Sequence, residues 1–300
     1  MSFTTIRMAV GRVVLVAGVL ILLFIPYLLW GTGLMTARSQ AQLRAEFIRA
    51  ERRAQALSST PRSNSTPVAQ PAPPIAFPGI GSPVGTITIP KIDLSMVVVE
   101  GTGDAQLQTG PGHYPTTPLP GEDGNAAIAG HRTTYLHPFY NLNELVPGDP
   151  ITIVTLQGIF LFHVTGSQAV SPTDVSVVAP TRGPTLTLTT CNPRYSASQR
   201  LVVHARLVAS ILNHPKRTTT AASTVPAAPV RNASATPAHD WTAAVLWAIA
   251  VAALTILVWV WERRLHRLRR VLVVVGGLIA WLVVVFCFFE VLAPLLPASY

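Results

Sequence analysis

A cysteine, a histidine and an arginine stand at the ends of predicted strands in the middle of this sequence. Cys191 ends the run 185–191, in which leucines take one face and threonines the other, so its thiol is predicted to face away from the leucines. Arg200 likewise falls on the face opposite the apolar residues of the strand that follows, and His131 ends a short strand of small residues. A thiol nucleophile, an imidazole acid/base and a guanidinium for the oxyanion are the groups that acyl transfer requires.

Other residues of the same types are weaker candidates. Cys287, the second of two cysteines, lies among apolar residues near the C-terminus, where it is interpreted as a small apolar side chain, and no disulfide is predicted. His204 shares the Arg200 face and is the main rival of His131 as the acid/base. Spacing alone does not exclude the other histidines of the region, which are His113, His137 and His163. No acidic cluster has the spacing of a metal-binding loop, so no metal or other cofactor is predicted.

Short alternating segments separated by turn residues are predicted to position these side chains. Eight candidate strands fall within about 125 residues, at 84–89, 94–99, 126–129, 151–155, 159–165, 169–177, 186–190 and 201–208. So many short strands predict a mostly β domain that forms a closed or nearly closed barrel, because closure removes exposed strand edges. A helical turn is predicted at 142–145.

Three apolar runs flank the predicted barrel, at 13–30, 241–261 and 271–292. Each approaches the ~20 residues of a membrane-spanning helix, and the first exceeds the ~7–15 apolar residues of a cleaved signal peptide. We therefore expect one N-terminal and two C-terminal transmembrane helices. The short loop 263–270 between the last two contains five arginines and is expected to be cytoplasmic, which places the barrel outside the cell.

The segments between the barrel and the spans have the composition of a stalk and two linkers. Apolar residues at helical spacing predict an amphipathic helix over 36–57, expected to lie in solvent or among lipid headgroups without a specific partner. The Pro/Ser-rich stretch 58–82 is expected to lift the barrel from the membrane. The predicted order is N-terminus and first span (1–35), stalk and linker (36–82), barrel (83–210), linker (211–240), second span (241–262), basic loop (263–270), third span (271–293) and tail (294–300).

The net charge of +9 comes from residues outside the barrel. Residues 83–209 contain six basic and eight acidic residues, so this region has a net charge of −2. The positive charge of the flanking segments suits anionic lipid headgroups, and nucleic-acid binding is not expected.

Three separated motifs resemble those of the sortases, the cysteine transpeptidases of bacterial cell surfaces. They are GPGHYP at 110–115, AIAGHRTTY at 127–135, and TLTTC at 187–191 with an arginine nine residues later. Their details are most similar to class E sortases of high-GC Gram-positive bacteria, and the resemblance covers roughly residues 83–209. It implies the eight-stranded sortase-type β-barrel.

The resemblance also implies residue roles and a reaction. Cys191 would be the nucleophile, His131 the acid/base and Arg200 the partner of the oxyanion or substrate carbonyl. The residues expected to line the substrate groove are Thr190, Tyr114 and Tyr135. The implied transpeptidase or hydrolase cleaves an LPxTG-like or LAxTG-like sorting signal of a secreted protein between Thr and Gly. The acyl group then passes to an amine of a cell-wall peptide or its lipid-linked precursor.

Two alternatives remain open at this point. A pilin-polymerising sortase would use a Lys amine, and such enzymes often have a C-terminal span. Against this alternative, the segment before residue 84 lacks an Asp-Pro-aromatic lid. The nearest aromatic stretch is 76–78. A non-catalytic cell-surface binding module would leave Cys191 incidental. The two C-terminal spans depart from the single N-terminal anchor that is usual in class E.

Overall fold

The computed structural model describes residues 18–24, 27, 31–57, 69–213, 241–264, 277 and 280–289. The chain divides into two compact units, one formed chiefly by Leu29–Thr218 and the other by the terminal segments. The first unit contains the barrel and the candidate site.

Eight strands close into a barrel. They are β1 (Pro83–Ile89), β2 (Leu94–Glu100), β3 (Gly112–His113), β4 (Asn125–Ala129), β5 (Pro150–Thr155), β6 (Gly158–Val170), β7 (Thr185–Asn192) and β8 (Gln199–Leu212). Their order around the barrel is β1-β2-β3-β4-β7-β8-β6-β5, and β5 pairs with β1 to close it. The β2–β3 and β4–β7 pairs are parallel, whereas the others are antiparallel. The mostly β, eight-stranded closed barrel predicted from the sequence is confirmed.

Alternation along the strands fills the barrel interior. Leu186 and Leu188 of β7 are fully buried, and they pack in the same apolar cluster as Leu201 and Val203 of β8. The threonines between these leucines take the opposite face, as the period of two requires. The apolar core therefore forms on one side of β7, and Thr187 and Thr189 lie on the other side, where they are also buried.

Two strand predictions differ from the structure. Residues 169–177 do not form a separate strand, because β6 continues to Val170 and Val175–Val178 form a 3₁₀ helix. The side chain of Asp174 caps that helix by accepting a hydrogen bond from the Ser176 amide (3.0 Å). The sequence analysis also missed β3, which has only two residues and gives no alternation to detect. The helical turn expected at 142–145 is confirmed as a 3₁₀ helix, Leu142–Glu144.

Helix α1 (Thr32–Leu57) packs against the barrel, so the expectation of a helix without a specific partner was wrong. Leu43 of α1 forms an apolar cluster with Val97 and Val99 of β2. The α1 face that carries Leu43 therefore contacts protein. A four-residue helix, α2 (Asp104–Leu107), follows β2.

Residues 69–82, here called the strap, lie along the barrel although their composition predicted a linker. The Gln70 amide donates to the Ser210 hydroxyl (3.2 Å), which in turn donates to the Gln70 carbonyl (2.7 Å). The Ala72 amide donates to the Gly121 carbonyl (2.8 Å). These bonds satisfy backbone groups that a free linker would leave to water.

The second unit contains helix α3 (Trp241–Arg264) and helical residues at 18–24 and 280–289. Tyr27, Val251, Val285 and Phe289 form its apolar cluster. Cys287 is half-buried. Within the described ranges, no helix is both long and apolar enough to count as a membrane-crossing candidate. The predicted linker segments 58–68 and 214–240, the basic loop from 265 and the tail from 294 lie outside the described residues.

Candidate active site

The parallel pairing of β4 with β7 brings His131 and Cys191 to the same end of the barrel. Ala129 lies opposite Thr189, and the Gly130 amide donates to the Thr189 carbonyl (3.1 Å), so the pairing continues past the last residue of β4. Two residues further along each strand are His131 and Cys191. Because neighbouring strands lie ~4.8 Å apart, the two side chains emerge beside each other.

Arg200 joins this pair from the other side of β7. It lies directly opposite Cys191 in the antiparallel β7–β8 ladder, and both residues are half-buried. One guanidinium nitrogen of Arg200, Nη1, donates to the carbonyls of Ala197 (3.3 Å) and Gln199 (3.2 Å). These bonds hold the guanidinium at the mouth of the loop between β7 and β8, with further N–H groups available to a substrate.

Burial sets the protonation states of the thiol and the imidazole. Burial raises the pKa of Cys191, while the positive charges of Arg200 and then Arg132 lower it, and the net shift is upward. Burial lowers the pKa of His131 to about 4. Near neutral pH the resting site therefore holds a protonated thiol and a neutral imidazole, which is a proton donor beside a proton acceptor.

Arg132 is a second cation at the site, and the sequence analysis assigned it no role. Its side chain is buried; Nη1 donates to the Cys191 carbonyl (2.9 Å) and to Oδ1 of Asn192 (2.7 Å), and Nη2 donates to Oδ1 of Asn143 (2.9 Å). Burial and the charge of Arg194 lower the pKa of Arg132, whereas Cys191 raises it. The available signal was its position directly after His131, since the pairing of β4 with β7 brings that position next to Cys191 and Asn192.

Arg194 fastens the loop after Cys191 to the loop after His131. Its guanidinium carbon lies 4.1 Å above the centre of the Tyr140 ring, and Nε donates to the Tyr140 carbonyl (3.3 Å). Nη2 donates to Oδ1 of Asn141 (3.1 Å). The two loops at the mouth of the site are thus held together by one arginine.

Comparison with known proteins agrees with this geometry. The family model described as "Sortase domain" matches residues 87–208. The chain is 33% identical to sortase SrtE1 of Streptomyces coelicolor over 217 residues, which are 67% of this chain and 56% of that protein. It is 32% identical to sortase D of Bacillus subtilis over 135 residues, which are 44% of this chain and 67% of that protein. This chain belongs to the sortase family.

Among solved structures, the SrtA sortase from Actinomyces oris is 32% identical to this sortase, with a TM-score of 0.46. That match covers 52% of this chain and 97% of the solved one. The chain spans little more than half the length of SrtE1. Sortases as a family are cysteine transpeptidases, and the thiol, imidazole and guanidinium groups described above are consistent with that chemistry.

The three residues predicted to line the groove of this sortase differ in what they contact. The Tyr114 hydroxyl lies 3.2 Å from the Thr189 hydroxyl, two residues before Cys191 on the same face of β7. The Tyr135 ring packs against His131, with ring centres 4.9 Å apart. The Thr190 hydroxyl donates to the Gly130 carbonyl (2.7 Å) and is buried. Tyr114 and Tyr135 thus flank the site, whereas the Thr190 hydroxyl supports the backbone beneath it.

The rival histidines lie elsewhere or face solvent. His113 of β3 is fully buried, with Nδ1 2.9 Å from Oε2 of Glu100. His204 of β8 lies four residues from Arg200, with Nδ1 3.1 Å from the Thr187 hydroxyl, and burial lowers its pKa. His163 is half-buried on β6, and His137 is exposed in the loop that follows His131. Across the residues that the structure describes, no group of three or more His, Cys, Asp or Glu side chains could hold a metal ion.

Proposed function

We propose that this sortase is a membrane-anchored cysteine transpeptidase. It cleaves an LPxTG-like or LAxTG-like sorting signal between Thr and Gly and transfers the acyl group to a cell-wall amine. The observation that carries this proposal is the meeting of three strand ends: β4 leads to His131, β7 ends at Cys191, and β8 begins beside Arg200. A nucleophile, a base and an oxyanion donor thereby share one end of the barrel.

The first half of the reaction forms a thioester. The sulfur of Cys191 attacks the carbonyl carbon of the substrate Thr while its proton passes to the neutral imidazole of His131, and the carbonyl oxygen becomes an oxyanion. When the tetrahedral intermediate collapses, the C–N bond to Gly breaks and the Gly nitrogen takes the proton from His131. Because burial keeps the thiol protonated at rest, this transfer must accompany the attack.

The second half regenerates the enzyme. An acceptor amine attacks the thioester carbon and gives a proton to His131, and the thiolate of Cys191 leaves and recovers that proton. Arg200, opposite Cys191 in the ladder, donates to the oxyanion or to the peptide carbonyl. Arg132 holds the carbonyl of Cys191 and so fixes the backbone that carries the nucleophile.

The family and the sequence support the substrate and partners of this proposal. Resemblance to SrtE1 supports a class E type of sorting signal, carried by secreted proteins, and an amine acceptor from a peptidoglycan precursor. Three apolar runs support a multi-pass location in the cell membrane, and the arginine-rich loop 263–270 supports an extracytoplasmic barrel.

Trapping the acyl-enzyme tests the reaction. The full chain from native cells should give a mass increase on the peptide containing Cys191, equal to an acyl group that ends in Thr. Cys191→Ala should lose both this adduct and the cleavage of sorting peptides, while Cys287→Ala is the matched control and should keep both. Transfer to a pilin Lys would favour the polymerising alternative, and peptide binding without cleavage would favour the binding module.

Thiol labelling tests the location. In a Cys287→Ala background, a membrane-impermeant maleimide should label Cys191 on intact, wall-stripped cells, since Cys191 is half-buried at the mouth of the barrel. Labelling of folded protein only after lysis would contradict an extracytoplasmic barrel.

A further inference from the structure

Helix α1 is attached to the barrel by hydrogen bonds from a buried glutamine side chain. Nε2 of Gln40 donates to the carbonyls of Val97 (3.0 Å) and Thr109 (2.8 Å), and its Oε1 accepts from the Val97 amide (2.7 Å). β2 pairs with β3 only through its last two residues, so Val97 would otherwise present an unpaired strand edge. The Gln40 side chain is itself buried and replaces a missing strand at this point.

The first turn of α1 reaches the loop that follows His131. The Tyr135 amide donates to the hydroxyl of Thr32 (3.3 Å), and Thr32 is only 2% exposed. At Gly33, an added Cβ would lie 3.2 Å from Cδ2 of Leu136, so the helix backbone approaches this loop closely. The N-terminus of α1 and the loop after the acid/base are therefore in direct contact.

That loop has a backbone conformation that needs external support. Tyr135, Leu136 and His137 are consecutive non-glycine residues with φ of 53°, 61° and 38°. Left-handed conformations are strained for L-residues, and they persist only where the surroundings hold them. Within the loop, the His137 amide donates to the Thr134 carbonyl (2.8 Å), and the contact from Thr32 supports it from outside.

The supported loop in turn contacts the catalytic imidazole. The ring of Tyr135 packs on His131 with centres 4.9 Å apart and an angle of 37° between planes. Burial is the resolved cause of the low pKa of His131, and the charged groups at this end of the barrel, Arg132 and Arg200, are not among its causes. Displacement of the Tyr135 ring would expose the imidazole to water and change its proton affinity.

We infer that Thr32, at the start of the membrane-proximal helix, is a positioning residue for His131. It acts through the Tyr135 backbone and the Tyr135 ring. This assignment rests on the proposed function, in which His131 is the acid/base, and it makes the helix between the first apolar run and the barrel part of the catalytic support rather than a spacer.

The test compares three variants of the full chain in detergent or vesicles. Thr32→Ala removes the acceptor hydroxyl, and Thr32→Ser keeps it. Thr36→Ala is the matched control one turn later, because its hydroxyl donates to the carbonyls of Gln108 (2.8 Å) and Thr32 (3.1 Å) and not to the loop. With a sorting peptide, Thr32→Ala should lower kcat about tenfold and leave KM unchanged, since misplacement of a catalytic group by a fraction of an ångström costs this much.

A second readout does not depend on the substrate. In a Cys287→Ala background, the rate of Cys191 alkylation is measured as the pH is lowered. The rate should begin to fall at a higher pH in Thr32→Ala than in the parent, because a more exposed His131 has a pKa nearer 6.5 and is protonated earlier. Thr32→Ser and Thr36→Ala should keep the parental profile and a kcat within about twofold. Thermal unfolding would show whether each variant is folded.

The outcomes separate the two proposals. If the parent cleaves no sorting peptide but Thr32→Ala still shifts the alkylation profile, the proposed function fails and the positioning role stands. Unchanged kcat and profile in folded Thr32→Ala would overturn the positioning role. An equal shift in Thr36→Ala would also overturn it, because general loosening of α1 would then explain the effect.

Discussion

Two buried histidines on neighbouring strands of this sortase have different surroundings. His113 of β3 is fully buried, and its ring nitrogens face two oxygen acceptors, Oε2 of Glu100 at 2.9 Å and the Pro118 carbonyl at 2.9 Å. His131, just past β4, is 6% exposed, packs against Tyr135 and lies beside the thiol of Cys191. The comparison shows that burial alone does not define a catalytic histidine. A carboxylate contacts one ring, whereas burial keeps the other ring neutral at the end of the barrel that carries Cys191.

Replacing each histidine with glutamine should give the largest effects, on turnover at His131 and on stability at His113. His131→Gln should lower turnover of a sorting peptide about a thousandfold, because general acid–base catalysis contributes roughly 10²–10⁴. Its melting temperature should stay near that of the parent at pH 7.5. Peptide cleavage and thermal unfolding measure the two effects.

The same exchange at His113 should act on stability instead. Removing the ring should cost about 1–3 kcal/mol, since the buried Glu100 carboxyl group is left without its hydrogen-bond partner at His113. The folded fraction of His113→Gln should keep a turnover close to the parental value. A thousandfold loss of turnover in folded His113→Gln would remove the distinction between the two histidines.

The two arginines beside Cys191 extend the comparison to cations. Arg200→Lys should lower turnover on the order of a hundredfold, because lysine keeps the charge but loses the planar donors that an oxyanion requires. Its melting temperature should change little, since Arg200 is half-buried and, among the described residues, its hydrogen bonds go to the nearby carbonyls of Ala197 and Gln199. Near-normal turnover in Arg200→Lys would reduce the residue to a charge.

Arg132→Lys is the counterpart of Arg200→Lys, and it tests the contribution of Arg132 to stability. Arg132 is buried and joins Cys191, Asn192 and Asn143, so lysine would leave some of these groups unpaired. The free energy of unfolding should fall by about 1–3 kcal/mol. A thermal or chemical unfolding curve at neutral pH checks this, and an unchanged midpoint would contradict the role assigned to Arg132.

The pH dependence of stability tests the low pKa of His131 directly. The folded protein holds His131 neutral down to a pKa of about 4, whereas the unfolded chain binds a proton near pH 6.5. The contribution of His131 to the free energy of unfolding is therefore fully present above pH 6.5, and it declines as the pH falls from 6.5 to 4. Between pH 7.5 and 4.5 the parent should lose about 2–3 kcal/mol that His131→Gln does not lose. Hydrogen-exchange protection of β4 and β7 amides, corrected for the intrinsic rate at each pH, measures the difference; equal losses in both proteins would contradict the low pKa.

The sequence predicted the parts of the fold that depend on a single strand. Alternation located most of the strands, and it correctly put the leucines of β7 in the core. The alternation of apolar and polar residues could not locate β3, because its two residues form a strand only through their pairing with β2 and β4. The segment 169–177 has valines typical of strands, yet Val175 is 77% exposed, so propensity without a partner strand did not decide its structure.

The site was predictable to the extent that motifs mark it. Motif resemblance singled out Cys191, His131 and Arg200, and the structure brings the strand ends that carry them together. Contacts between distant segments were beyond local patterns. Arg132 gains its role only when β4 pairs with β7, and α1 gains a partner only because β2 has an open edge that Gln40 can bind.

The strap has a mechanical consequence. Because Gln70 and Ser210 exchange two hydrogen bonds, the start of the strap is joined to the C-terminal part of β8. Tension applied between the segment before Gln70 and the segment after Ser210 would act on this contact before it reached β7 and Cys191. In a single-molecule pulling experiment on the full chain, Ser210→Ala should lower the force of the first extension and leave the force that opens the barrel unchanged. The strap would then take up tension from the flanking segments, so that this tension does not deform the site.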